Sequence, residues 1–134
     1  MFEISRDPID TQKVIDAVGH PSDGAIVTFL GKVRDNADNR SVNALEYEAY
    51  PEMAIGQMKT IAAEVKQRWG IERMAIVHRV GLLHLEDIAV VIAVASPHRR
   101  EAFEACLHAI DRIKEIVPIW KKEYYADGTQ WKNQ

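Results

Sequence analysis

Apolar residues recur along this chain with two periods, and each change of period marks an element. Phe2–Ser5 reads as a short strand. Asp7-Pro8 then opens a helix to about Val18, with Ile9, Val14, Ile15 and Val18 inward and Pro8 in the first turn. The cluster at 20–24 is a turn. Residues 25–33 are apolar and β-branched, a strand that ends in Gly31-Lys32-Val33-Arg34 before a polar, glycine-free loop at 35–41. Residues 44–50 alternate, with Leu45, Tyr47 and Ala49 on one face and Glu46, Glu48 and Tyr50 on the other. These two strands are expected to pair as a hairpin across the loop.

Pro51–Trp69 has the helical period, with Ala54, Met58, Ile61, Ala62, Val65 and Trp69 as its stripe, and Gly70 stops it. Residues 73–80 alternate as a strand, 81–87 turn the chain, and 88–95 form a wholly apolar strand that needs cover on both faces. Ser96 as N-cap and Pro97 at the first position open the next helix, which ends before Pro118. Its stripe is Phe103, Cys106, Leu107, Ile110, Ile113 and Val117. At roughly 100° per residue, Lys114 falls only about 20° from Phe103 on the wheel. A lysine in an apolar stripe must snorkel, pair or line a cavity, because a buried unpaired ammonium is costly. Ile119–Tyr125 is a last strand and Asp127-Gly128 a turn. Hairpins and helices mix without strict alternation, so the expected class is α+β, with a mixed or antiparallel sheet and three main helices.

The totals narrow the possibilities. A chain of 134 residues reads as one domain over 1–134. A net charge of −3 weighs against a nucleic-acid partner, so any cationic site must be local. The one cysteine, Cys106, excludes a disulfide within the chain and reads as a small buried hydrophobe. The start lacks a signal-peptide pattern, and no apolar run approaches the ~18 residues of a membrane span. A cytoplasmic location and no membrane partner are therefore expected.

Four places carry candidate chemistry. His98 and Arg99 open a helix, where free N–H groups and charge-assisted donors suit a phosphate or carboxylate. Lys114 could line an apolar-walled pocket as acid, base or nucleophile, or simply snorkel. Lys121 and Lys122 lie on an extended segment and should point to opposite faces. Arg34 ends a buried strand before a loop. There is no Walker loop, no G-x-G-x-x-G, no G-x-S-x-G and no H-E-x-x-H, and no cofactor or metal is expected. These residues alone describe a cationic pocket for a phosphorylated ligand or a carboxylate, without naming a reaction.

At these residues the chain resembles the large, catalytic subunit of molybdopterin synthase, over roughly residues 24–131. The carriers are Gly31-Lys32-Val33-Arg34, Leu45-Glu46-Tyr47-Glu48-Ala49-Tyr50, His78-Arg79-Val80-Gly81, Ser96-Pro97-His98-Arg99 with Ala102-Phe103, Lys114, Pro118-Ile119-Trp120-Lys121-Lys122-Glu123, and Asp127-Gly128 with Trp131. Each is short, but all occur in order at compatible spacing. The resemblance implies an α/β-hammerhead type of α+β fold. It implies a homodimer in which each copy binds a small ubiquitin-like sulfur-carrier subunit, giving a heterotetramer. The carrier's C-terminal Gly-Gly thiocarboxylate would supply two sulfurs in succession to cyclic pyranopterin monophosphate (precursor Z), making molybdopterin in molybdenum cofactor biosynthesis. Carried across by position, Lys114 and Lys121 are the implied catalytic residues. Arg34, His98 and Arg99 are implied at substrate, with Lys32, Val33, Lys122 and Glu123 flanking them. The main rival is a non-catalytic dimeric module that binds a carrier tail or a phosphorylated metabolite. A second is a Schiff-base lysine enzyme acting on a carbonyl metabolite.

Overall fold

The computed structural model describes residues 1–126 and 128–133, the side chains of 129–133 excepted. It is a mixed α+β structure. The chain runs β1 (Phe2–Ser5), α1 (Thr11–Val18), β2 (Ala25–Lys32), β3 (Asn36–Ala37), β4 (Arg40–Ala49), α2 (Pro51–Trp69), β5 (Arg73–Arg79), β6 (Gly81–His84), β7 (Ile88–Ser96), α3 (Arg99–Ile116), β8 (Ile119–Tyr125) and β9 (Gly128–Asn133). Asp127, half of the expected turn, lies outside the described residues.

The first sheet has the order β1-β5-β7-β2, with β1 parallel to β5 and the other pairs antiparallel. Its run of small and branched residues is covered twice. On one face α1 packs Val14 and Val18 against Ala75, Val77, Val91, Ala93 and Ala95. On the other, Ile76, Ile92 and Val94 meet α2 and α3 through Met58, Ile61, Val65, Ala102, Ala105, Ala109 and Ile113. The apolar run of β7 is thus explained by cover on both faces. Helix α1 starts later than Pro8 suggests, because Asp10 is the residue that caps it, accepting from the Lys13 N–H. Helix α2 has the expected bounds and ends at Gly70 in the left-handed conformation (φ 69°).

The second sheet has the order β3-β4-β8-β9, with β6 also paired to β4. Its inner face adds Leu45, Tyr47, Leu83, Ile119 and Tyr125 to the same core as α2 and α3.

Four local expectations are corrected. Strand β2 does not pair with β4; it pairs with β7, and β4 pairs with β8. The polar loop instead closes on itself as the short β3–β4 hairpin, with Asp38 and Asn39 at positive φ (51° and 61°), a conformation these residue types tolerate. Residues 81–84 are not a turn but strand β6, antiparallel to β4. Ser96 belongs to β7, and its carbonyl accepts from Gly24 N–H at 3.1 Å, so His98 becomes the N-cap of α3. The core side of α3 is an alanine-rich row, while Phe103 and Leu107 are 60% and 63% exposed. Both rows have helical spacing, and the narrow gap between α3, α2 and the sheet selects the small residues.

Candidate active site

A cavity of about 380 Å³ opens where the two sheets meet beside the C-terminal half of α3. Its apolar lining comes from Phe29 of β2, Leu45 of β4, Ala89 and Val90 of β7, and Ile110 of α3. Arg34, Lys32, Lys114 and Lys121 also line it. Four cations from three separate segments and one loop therefore meet at one cavity of a chain with net charge −3.

The end of β2 shows how the backbone arranges this. A register shift lies between Gly31 and Lys32. A Cβ at Gly31 would stand 2.6 Å from Val90 Cγ1, so only glycine fits that close approach. Beyond the bulge Val33 is buried, its N–H donating to Asp87 O at 2.9 Å and its carbonyl accepting from Glu86 N–H at 2.7 Å. With Val33 locked inward, Lys32 and Arg34 on either side stay exposed at the cavity. Val33 thus positions its neighbours and spends both backbone groups inside the protein.

Lys114 is exposed, on the row Phe103, Leu107, Ile110, Lys114. Of the stripe expected from the sequence, Cys106, Ile113 and Val117 do face the core, while Phe103 and Leu107 lie outside it on the row that leads through Ile110 to Lys114 and the cavity. Among the described residues, neither Lys114 nor Arg34 makes an ion pair.

Lys121 has a different setting. Its Nζ lies 3.5 Å from Glu123 Oε1, and Glu123 is 2% exposed. The Tyr125 hydroxyl donates to Glu123 Oε2, and the Arg40 guanidinium stacks 3.5 Å over the Tyr125 ring. A buried carboxylate needs such partners. Glu123 therefore stands behind Lys121 as its anchor. Lys122 is on the opposite face of the sheet, 5.2 Å from the Tyr124 ring and in register with Glu46. It points away from the cavity.

Two further side chains belong to the cavity and were not singled out from sequence. Tyr47 sits directly across from Lys121 on β4. Burial, with the Glu123 carboxylate adding, pushes its phenol up to about 12. Its ring meets His78 edge-on at 5.0 Å. His78 is fully buried at the cavity, with Nδ1 2.8 Å from the Arg79 carbonyl oxygen. Alternation did place Tyr47 inward with Leu45; only the packing of the two sheets makes that side a cavity.

His98 and Arg99 lie elsewhere. They line a wider, open cavity of about 950 Å³ at the other end of α3, with Gly24, Ala25, Pro97 and Phe103. The turn that forms its rim is pinned by Arg73, whose Nη2 donates to Asp23 Oδ1 at 2.9 Å. The hydrogen bond from Arg73 holds the Asp23 carboxyl below its ordinary value. One chain thus carries two cationic sites, at opposite ends of β2.

Cys106 is buried, and burial pushes its thiol up to about 11, so it is no nucleophile at neutral pH. Among the described residues, no group of three or more His, Cys, Asp and Glu could hold a metal ion, and no helix is long and apolar enough to cross a membrane.

Known proteins resemble this chain over most of its length. A family model described as MoaE protein matches residues 4–116. The molybdopterin synthase catalytic subunit of Halalkalibacterium halodurans is 52% identical over 130 residues, covering 97% of this chain and 83% of that protein. That of Bacillus subtilis is 49% identical with the same coverage. A crystal structure of molybdopterin synthase from Staphylococcus aureus superposes with a TM-score of 0.95 at 45% identity, covering 99% of this chain and 97% of that one.

Proposed function

The chain belongs to the MoaE protein family, and from that premise we propose that it acts as the catalytic subunit of a molybdopterin synthase. It is a sulfurtransferase of molybdenum cofactor biosynthesis. It takes sulfur from the C-terminal thiocarboxylate of a small ubiquitin-like carrier and adds two sulfurs to cyclic pyranopterin monophosphate. The observation that carries the assignment to this cavity is the meeting of Arg34, Lys114 and Lys121 there, two of them with no ion pair among the described residues. Thiocarboxylate and phosphate are both anions, and converging fixed cations suit such a pair.

Roles follow from setting. Lys114 stands at the carrier's terminal carbonyl, where an ammonium can stabilise a developing oxyanion or exchange protons. Lys121, held by Glu123, acts on the pterin as acid or base. Arg34 and Lys32 hold phosphate. The pocket needs no thiol of its own, in keeping with a buried Cys106.

His98 and Arg99 join through a second copy. Strand β2 is a sheet edge, with Ile26 and Leu30 42% and 38% exposed and Phe103 and Leu107 of α3 beside it. A two-fold axis across this edge exchanges the ends of β2. It sets one copy's His98-Arg99 near the other copy's Arg34. The reaction proceeds in the cytoplasm, in keeping with a single buried thiol.

Reconstitution tests the assignment: protein, thiocarboxylated carrier and cyclic pyranopterin monophosphate are mixed, and molybdopterin is measured. Product formation that survives Lys114→Ala unchanged would remove Lys114 from the chemistry. Wild-type protein that binds carrier yet forms no product would favour the non-catalytic module.

A further inference from the structure

The cations of the cavity account for anions, but a pterin also presents uncharged acceptors, which point charges read poorly. A directional donor is needed for those, and one wall of the cavity carries a candidate. Tyr47 is 7% exposed and lines the cavity directly across from Lys121. Among the described residues its hydroxyl makes no hydrogen bond, whereas the hydroxyls of Tyr124 and Tyr125 on the neighbouring strand each donate to a glutamate. The ring is buried while the hydroxyl is open to the cavity, where a ligand can supply the acceptor.

Resting on the functional reading above, we propose that Tyr47 is a substrate-binding residue whose hydroxyl donates a hydrogen bond to a carbonyl oxygen or ring nitrogen of the pterin heterocycle. Three features suit it. Its ring is fixed by edge contact with His78, so the hydroxyl is held rather than free to search. Its phenol, pushed up to about 12, stays protonated at neutral pH. Its place opposite Lys121 puts the donor beside the lysine assigned to the pterin, and on the same face of the sheet. A site with a fixed donor of this kind also discriminates, because a ligand without the acceptor leaves the hydroxyl unmatched.

Titration calorimetry with the carrier omitted tests this. Wild type and Tyr47→Phe are each titrated with cyclic pyranopterin monophosphate and, separately, with inorganic phosphate. Tyr47→Phe keeps the ring contact and removes only the hydroxyl, so its thermal midpoint should match wild type. Pterin binding should weaken on the order of tenfold while phosphate binding stays within about two-fold. Arg34→Ala should weaken both. 3-Fluorotyrosine introduced at position 47, a stronger donor of nearly the same shape, should tighten pterin binding. Pterin binding by Tyr47→Phe equal to wild type would overturn the assignment of Tyr47 alone. So would an equal loss for phosphate, which marks a structural role. A wild-type protein that binds no pterin would instead overturn the functional reading, and this proposal with it.

Discussion

Helix α3 has a cationic site at each end, and the two are built differently. At its C-terminal end Lys114 and Lys121 line a cavity walled by two sheets, with buried Glu123, Tyr47 and His78 behind them. At its N-terminal end His98 and Arg99 line a wider, open cavity, and His98 makes no side-chain cap. Enclosure strengthens electrostatic interactions and fixes geometry, both of which catalysis needs. An open rim of cations attracts and holds charge but orients little. On the proposed function, these residue types, equal as sequence, divide into chemistry and capture according to what stands behind them.

The sharpest way to break the contrast is to remove one cation from each end. Lys114→Ala should lower the turnover number by between about 100-fold and 10,000-fold, the range for a positioned acid–base group, while carrier binding measured by calorimetry persists. Arg99→Ala should raise KM for the pterin by about tenfold and change turnover far less. Equal effects on turnover would erase the distinction between the two ends.

Mixing the two variants sharpens it further. If each active site takes Lys114 from one copy and His98-Arg99 from the other, co-refolding Lys114→Ala with a His98→Ala/Arg99→Ala protein restores one site in each mixed dimer. Measured at pterin well below the wild-type KM, where both parent variants are nearly inactive, activity should then recover to about a quarter of wild type, since half the dimers are mixed and each has one intact site. No recovery would rule out a site shared between the two copies.

Smaller effects concern the scaffold that holds the ends apart. Arg112 and His108 on α3 hold Glu64 of α2, with Arg112 Nη2 3.0 Å from Glu64 Oε2. These bonds, Arg112 first, keep the Glu64 carboxyl below its ordinary 4.5. The unfolded chain takes up that proton near 4.5 and the folded chain only at lower pH. The contribution is therefore complete above 4.5 and is lost as pH falls through the lowered folded value. Glu64→Gln should flatten that part of the acid limb in a plot of thermal midpoint against pH, leaving turnover at neutral pH within about two-fold. The smallest effect concerns Cys106. Its thiol should react with iodoacetamide at neutral pH far more slowly than a free cysteine, and Cys106→Ala should leave turnover within about two-fold. Rapid alkylation accompanied by loss of product would reopen a role for it.

Much of this molecule follows from sequence alone. The bounds of α2 rest on a proline at its start, a helical stripe and a left-handed glycine after it, all of them local. The burial of β7 follows from an apolar run too short for a membrane and too long to expose. The opposite faces of Lys121 and Lys122 follow from the two-residue period of a strand. Lys114 stands out on the helical wheel before any fold is known. What periodicity cannot reach is which element meets which. Strands β2 and β4 are adjacent in sequence, yet they pair with β7 and β8, because pairing depends on which apolar faces can be buried together. The same limit hid strand β6 and left Phe103 and Leu107 of the expected α3 stripe outside the core, where alanines take their place. Only tertiary structure decides that the inward side of Tyr47 is a cavity wall, that Glu123 anchors Lys121, and that His98 and Arg99 are a strand's length from Arg34. Local spacing specifies what each residue can do; the meeting of distant surfaces, driven by burial, decides what it faces.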